Sequence, residues 1–79
     1  MEEDFTEATT KAELGVAIAS VVWLAERSPD LAFDLRDEMV RELGWSTQQW
    51  NDALAQMQAF AERKASGKIP DYQRWQLSE

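Results

Sequence analysis

The chain has 79 residues, a net charge of −7 at pH 7, and neither cysteine nor histidine. This length allows one small domain with a thin core, and the missing residue types exclude a disulfide framework and thiolate or imidazole metal sites. An acidic surface repels phosphate groups, so we expect no direct binding to nucleic acid or to anionic membranes.

Residues 1–9 are predicted to form a flexible acidic tail in front of a single helical domain over residues 10–79. Residues 1–10 hold four acids and no base. Phe5 is the one large apolar side chain there, and burying it alone does not offset the entropy lost on ordering the segment.

The first helix is predicted over residues 10–27. Thr10 and Glu13 have the spacing of a capping box, in which each side chain satisfies a free backbone donor of the first turn. Apolar residues at helical spacing follow, but Val16 and Trp23 place apolar groups on further faces. A helix that is apolar on nearly all sides is central to a core or buried in an oligomer, so a homo-oligomer through this helix is possible.

The first helix also bears on localisation. Its longest apolar run, Val16 to Ala25, is interrupted by Ser20 and is much shorter than the ~20 residues that span a bilayer. The acidic N-terminus lacks the basic residues that begin a secretory signal. We therefore expect a soluble, cytoplasmic protein.

The second and third helices are predicted over residues 29–43 and 47–66. Ser28-Pro29 is typical of a helix start, and Gly44 suits the left-handed position that follows a last turn. Ser46 and Gln49 form a second capping box, and Gly67 is the expected stop of the third helix. The predicted fold is therefore an all-α three-helix bundle.

A short C-terminal arm follows, from Lys68 to Glu79. Its large apolar residues are Ile69, Tyr72, Trp75 and Leu77. The arm could dock on another protein, but folding back is favoured because a small core gains from two more aromatic rings.

No apparatus for catalysis is visible, and we expect neither enzyme activity nor a cofactor. Nucleophilic catalysis needs a base beside the nucleophile, histidine is absent, and Ser28 and Ser46 are explained as caps. The chain has no glycine-rich phosphate loop. An acidic face on the second helix comprises Asp34, Asp37, Glu38 and Glu42. Asp34, Asp37 and Glu38, at positions i, i+3 and i+4, could hold Mg²⁺ or Ca²⁺, but a solvated face is favoured, so no metal site is predicted.

Four tryptophans are more than a three-helix core of this size normally takes up. Tryptophan is enriched where binding energy concentrates, although all four could equally belong to the core. The candidate partner-binding residues are Trp45, Trp50, Tyr72 and Trp75, with Trp45 or Trp50 as the best candidate for an exposed anchor.

The stretch Met39-Val40-Arg41-Glu42-Leu43-Gly44-Trp45-Ser46, within residues 29–61, resembles the C-terminal helical segment of FAD-dependent glycerol-3-phosphate dehydrogenases. In that family a helix ends in a similar Glu-Leu-Gly-Trp and a second helix follows. The family's FAD-binding and catalytic residues lie in a large domain that has no counterpart here. The resemblance implies a helix–loop–helix shape and a catalytically silent accessory segment.

These features favour a non-catalytic protein-interaction module, such as an adaptor or a small subunit. An alternative is a small acidic inhibitor, of the phage anti-CRISPR type or another nucleic-acid-mimicking decoy, that occupies a basic surface of a nucleic-acid-binding protein. A further alternative is the silent segment of an FAD enzyme that the resemblance implies.

Overall fold

The computed structural model describes the backbone of residues 2–78 and the side chains of residues 7–78. Within that range the chain forms three α-helices and one short 3-10 helix, without any strand. They are α1 (Glu2–Ala25), α2 (Pro29–Leu43), α3 (Thr47–Lys64) and the 3-10 helix Tyr72–Trp75. The predicted all-α three-helix bundle is confirmed.

Helix α1 begins eight residues earlier than predicted, at Glu2 instead of Thr10. Thr10 and Glu13 therefore lie inside a continuous helix, and their capping-box spacing does not mark its start. The physical reason lies in the first turn, where residues 2–4 are all acidic. Negative charge is favoured there because it meets the positive end of the helix dipole. Mobility of residues 1–9 stays a prediction.

A tight connection joins α1 to α2. The backbone N–H groups of Arg27 and Ser28 both donate to the carbonyl oxygen of Leu24, at 2.9 and 2.8 Å, and this ends α1 at Ala25. Helix α2 starts at Pro29 as predicted, but the Ser28 side chain makes no capping hydrogen bond. Proline alone therefore defines this start, since its fixed φ suits the first helical position. The short connection folds α1 and α2 into a helical hairpin.

The corner between α2 and α3 follows the sequence closely. Gly44 has φ +71° and donates its N–H to the carbonyl oxygen of Val40 at 3.0 Å. At the start of α3, the Ser46 hydroxyl oxygen accepts from the Gln49 N–H at 3.0 Å, and the Gln49 side chain accepts from the Ser46 N–H at 2.9 Å. The predicted capping box is confirmed.

The end of α3 differs from the prediction. The helix ends at Lys64, because Ala65 already has an extended backbone with ψ 132°. Among the residues with a described backbone, Gly44 is the glycine with positive φ, so Gly67 is not a left-handed cap.

The core is a cluster of apolar side chains from all three helices and the 3-10 helix. Its members are Leu14, Ala17, Ile18, Val21, Ala32, Trp45, Trp50, Leu54 and Trp75. Trp50, at the start of α3, is fully buried, and its ring lies 6.0 Å from that of Trp45. Its indole N–H donates to the Trp75 carbonyl oxygen at 2.9 Å. This fully buried ring therefore also has its polar atom satisfied inside the protein.

The C-terminal arm folds back onto α2 and α3. Trp75 is 4% exposed, and its ring centroid lies 4.6 Å from that of Phe33 on α2. Asn51 on α3 accepts from the Leu77 N–H at 2.8 Å and donates to the Leu77 carbonyl oxygen at 3.0 Å. Arg36 on α2 donates to the Gln76 carbonyl oxygen at 3.2 Å. Side-chain amides and guanidinium groups thus replace the backbone partners that a strand or helix would give this segment.

Among the described residues, one stretch of α1 is long and apolar enough to cross a membrane by length and composition alone. It covers Glu7–Ala25, and 22% of it is buried. The ten-residue run considered above therefore understates the apolar length of α1. The core helix of a soluble protein and an N-terminal signal sequence meet the same criterion.

Replacing Gly44 by alanine is expected to lower the free energy of unfolding by about 1–2 kcal/mol, because an L-residue is strained at positive φ. Urea titration followed by circular dichroism measures the change. Gly67→Ala is the matched control, since neither glycine has an atom within 4 Å of an added Cβ and Gly67 has no positive φ. Equal destabilisation by both substitutions would contradict the proposed role of Gly44.

Replacing Trp75 by alanine is expected to destabilise the fold by about 3–5 kcal/mol, the usual cost of emptying a buried tryptophan site. That loss is most of the stability of a small domain, so the thermal unfolding midpoint should fall sharply or the cooperative transition should disappear. Trp23→Ala removes the same side chain from a site that is 58% exposed and should cost less than about 1 kcal/mol. A Trp75→Ala variant as stable as Trp23→Ala would show that the arm is not part of the core.

Candidate interaction surface

Three of the four candidate partner-binding residues lie in the core. Trp45, Trp50 and Trp75 are all less than a tenth exposed. The expectation that Trp45 or Trp50 is an exposed anchor is therefore corrected in this conformation. The physical reason is the thinness of the core, because three helices of this length need these rings, together with the folded-back arm, to fill the space between them.

Tyr72, the fourth candidate, is partly exposed. It lines a groove between α1 and α3, which we call the α1–α3 groove, with a volume of about 710 Å³. The remaining lining residues are Lys11, Gly15, Ala53, Gln56, Met57, Ala59, Phe60, Ala61 and Arg63. Phe60 is 55% exposed there, so this groove offers apolar area between two basic side chains.

The acidic face on α2 is solvent-exposed at all four positions, Asp34, Asp37, Glu38 and Glu42. Arg36 pairs with Asp37 at 2.7 Å, and Arg41 lies 4.0 Å from Glu42. The Arg41–Glu42 pair is exposed on both sides and contributes little to stability, whereas in the Arg36–Asp37 pair the arginine side chain is mostly buried. Within the described residues, no group of three or more acidic side chains is arranged to hold a metal ion.

The surface that stands out is the outer side of α1. Ala12, Val16, Ala19 and Trp23 are all exposed, and their spacing of four, three and four residues places them on one face of the helix. The buried residues of α1, such as Ile18 and Val21, lie on the opposite face. We call the exposed set the α1 outer stripe. Helix α1 is therefore apolar on two opposite faces, and the fold covers one of them.

Val16 and Trp23 dominate this stripe, with 69% and 58% of their surfaces exposed. The Arg27 guanidinium lies 3.8 Å from the centroid of the Trp23 ring and donates to the Trp23 carbonyl oxygen at 3.0 Å. This cation–π contact restrains the indole while leaving more than half of it open to solvent. A restrained aromatic ring loses less conformational entropy when it is buried against a partner.

The outer stripe continues into a second groove, between α1 and α2, with a volume of about 500 Å³. We call it the α1–α2 groove. Its lining residues are Val16, Ala19, Ser20, Trp23, Leu24 and Leu35. The Ser20 hydroxyl donates to the Val16 carbonyl oxygen at 2.8 Å, so even the one polar side chain of the lining has its donor satisfied within α1. The groove floor is consequently apolar.

Sequence analysis predicted that α1 carries excess apolar surface but did not select Trp23 as a binding residue. The available signal was the spacing of Ala12, Val16, Ala19 and Trp23, which forms a second apolar stripe opposite the one formed by Leu14, Ile18 and Val21. Two stripes on one helix in a three-helix protein indicate that one of them is uncovered. Which of the two is covered depends on how α2 and α3 pack, and spacing does not specify that.

Searches against family models, curated proteins and solved structures find no match. The resemblance of residues 29–61 to FAD-dependent glycerol-3-phosphate dehydrogenases therefore stays a prediction. The helix–loop–helix shape at Gly44 is present, as any tight corner of this composition would provide.

Proposed function

We propose that this protein is a non-catalytic interaction module, an adaptor or a small subunit, that binds a protein partner through the apolar outer surface of α1. The observation that carries the proposal is the α1 outer stripe, in which Val16 and Trp23 are mostly exposed. Contiguous exposed apolar surface beside a groove is typical of protein-binding sites, whereas single exposed apolar residues are not.

The composition of the stripe suits helix-to-protein contact. Trp23 supplies a large ring of the kind that dominates binding energy, and Ala12 and Ala19 keep the helix backbone accessible beside it. Burying apolar area stabilises a complex by roughly 25 cal/mol per Å², so a few such side chains matter.

With no histidine or cysteine in the sequence, we propose no catalysis and no cofactor. A cytoplasmic location without direct nucleic-acid or membrane binding is part of the same proposal, supported by the acidic charge. The apolar length of α1 is then explained by one face in the core and the other against a partner.

Trp23→Ala is expected to abolish capture of the partner because it removes the largest side chain of the outer stripe. Affinity purification from the source cell with quantitative mass spectrometry measures the loss, and far-UV circular dichroism checks that helix content is unchanged. Phe60→Ala is the matched control, since Phe60 is equally exposed but lies in the α1–α3 groove. If Phe60→Ala loses the partner while Trp23→Ala retains it, the binding surface is the other groove and the proposal is wrong.

A second candidate is the acidic inhibitor that occupies a basic nucleic-acid-binding surface, favoured by the four exposed carboxylates of α2. Affinity for such a target should fall steeply between about 0.05 and 0.2 M salt, because exposed charges are screened over roughly 8–10 Å. It should also be insensitive to Trp23→Ala. Binding that depends on Trp23 and resists salt would exclude this candidate.

A further inference from the structure

We infer that the occupant of the α1–α2 groove is an amphipathic helix of a partner protein whose apolar stripe is flanked by lysine and arginine. This inference rests on the proposed function and specifies the partner's chemistry.

The floor of the groove determines the apolar part of the partner. Leu35 on α2 faces Ser20 and Leu24 on α1 across the groove. Leu31, one turn before Leu35, is 56% exposed and lies on the same side of α2 as Leu35. Because α1 and α2 form a hairpin, Leu31 and Trp23 lie at the same end, next to the connection.

The acidic residues that border the groove, which we call the rim, determine the charge of the partner. On α2, Glu38 and Glu42 are three and seven residues after Leu35, so helical spacing places them on the side of α2 that borders the groove. On α1, Glu13 is three residues before Val16 and borders the groove in the same way. All three glutamates are exposed. Glu13 on α1 and Glu42 on α2 are about equally far along the chain from the connection, so a hairpin places both toward the end of the groove away from it.

The acidic end has little compensation in the free protein. Arg41 reaches Glu42 at 4.0 Å, whereas neither Glu13 nor Glu38 has an ion pair among the described residues. Like charges brought together repel, and a basic partner would convert that repulsion into attraction. At the opposite end, Arg27 is held over the Trp23 ring. Glu26 and Asp30 are exposed beside Arg27, so the connection end carries no excess of positive charge, and the partner's bases face the rim glutamates.

A helix is the favoured shape for the occupant. The groove lies between two packed helices, whose ridges accept the ridges of a third helix, and apolar anchors at helical spacing fit such grooves. A second copy of this chain is disfavoured because each copy carries −7 and would bring the same acidic rim to the contact. The α1–α3 groove has Lys11 and Arg63 in its lining, so its charge does not fit the same partner.

The test uses two synthetic helical peptides of about 18 residues, long enough to follow the groove for roughly 27 Å. Both carry the same leucine stripe. One has lysine and arginine at the flanking positions, and its twin has glutamate there. Fluorescence anisotropy of the labelled peptides gives the affinity for the full chain. We expect the basic peptide to bind at least about tenfold more tightly than its twin, since several rim charges act together.

Three variants separate the contributions. The double variant Glu38→Lys with Glu42→Lys reverses the charge beside the groove on α2 and should lower the affinity for the basic peptide roughly tenfold. Asp52→Lys with Glu62→Lys makes the same change in net charge on exposed positions of α3 and should change the affinity much less. Trp23→Ala should lower the affinity for both peptides, because it removes apolar area that both contact. Circular dichroism confirms that each variant is folded.

The outcomes distinguish the inference from the proposed function. Equal loss in the rim and α3 double variants would mean that net charge alone attracts the peptide, and the inference would be wrong. Tighter binding of the glutamate peptide than of the basic peptide would also overturn the inference. If binding of either peptide still depends on Trp23, the proposed function stands. If Trp23→Ala changes neither affinity, the proposed function itself fails. A dimer in sedimentation equilibrium that Trp23→Ala dissociates would assign the outer stripe to a second copy and overturn the inference.

Discussion

The buried side chain of Trp50 is the contact on which the rest of the fold depends. This ring is fully buried at the start of α3, packs beside Trp45 at the α2–α3 corner, and donates its indole N–H to the Trp75 carbonyl oxygen. One side chain thereby joins the corner, the third helix and the C-terminal arm. A chain of 79 residues without disulfides or histidine has few other means of closing its core. The arm is consequently a structural element, held by Asn51 and Arg36 as well as by its own aromatic ring.

This use of tryptophan has a consequence for the surface. Trp45, Trp50 and Trp75 are buried in the core, so the tryptophan left for a partner is Trp23 on α1. Helices α2 and α3 pack against one side of α1 and cover its Leu14–Ile18–Val21 face. The outer stripe opposite that face is left in solvent because nothing in the described chain is long enough to wrap around it. The exposed apolar area follows from the helix count, not from a local irregularity.

Charge and apolar surface are arranged on neighbouring parts of the molecule. By helical spacing Glu38 and Glu42 of α2 lie on the side that borders the α1–α2 groove, while the groove floor is apolar and includes Trp23. Apolar burial supplies affinity without much selectivity, and charge at the rim selects among partners and speeds association. A small module that combines both can discriminate between helices of similar hydrophobicity. Under the proposed function, the acidity of the chain contributes to recognition of the partner.

Local sequence determined the helix boundaries where a single residue has a strong conformational preference. Pro29, Gly44 and the Ser46–Gln49 box behave as predicted, because each acts through its own backbone or within one turn. Thr10 and Gly67 do not, since acids favour an earlier start for α1 and Ala65 ends α3 first. The candidate site depended on tertiary structure. Trp23 lies in an apolar helical run and Trp45 follows a glycine at a polar corner, yet packing between elements distant in the chain exposed the first and buried the second. Helical spacing assigns residues to faces, but only the packing of α2, α3 and the arm decides which face meets solvent.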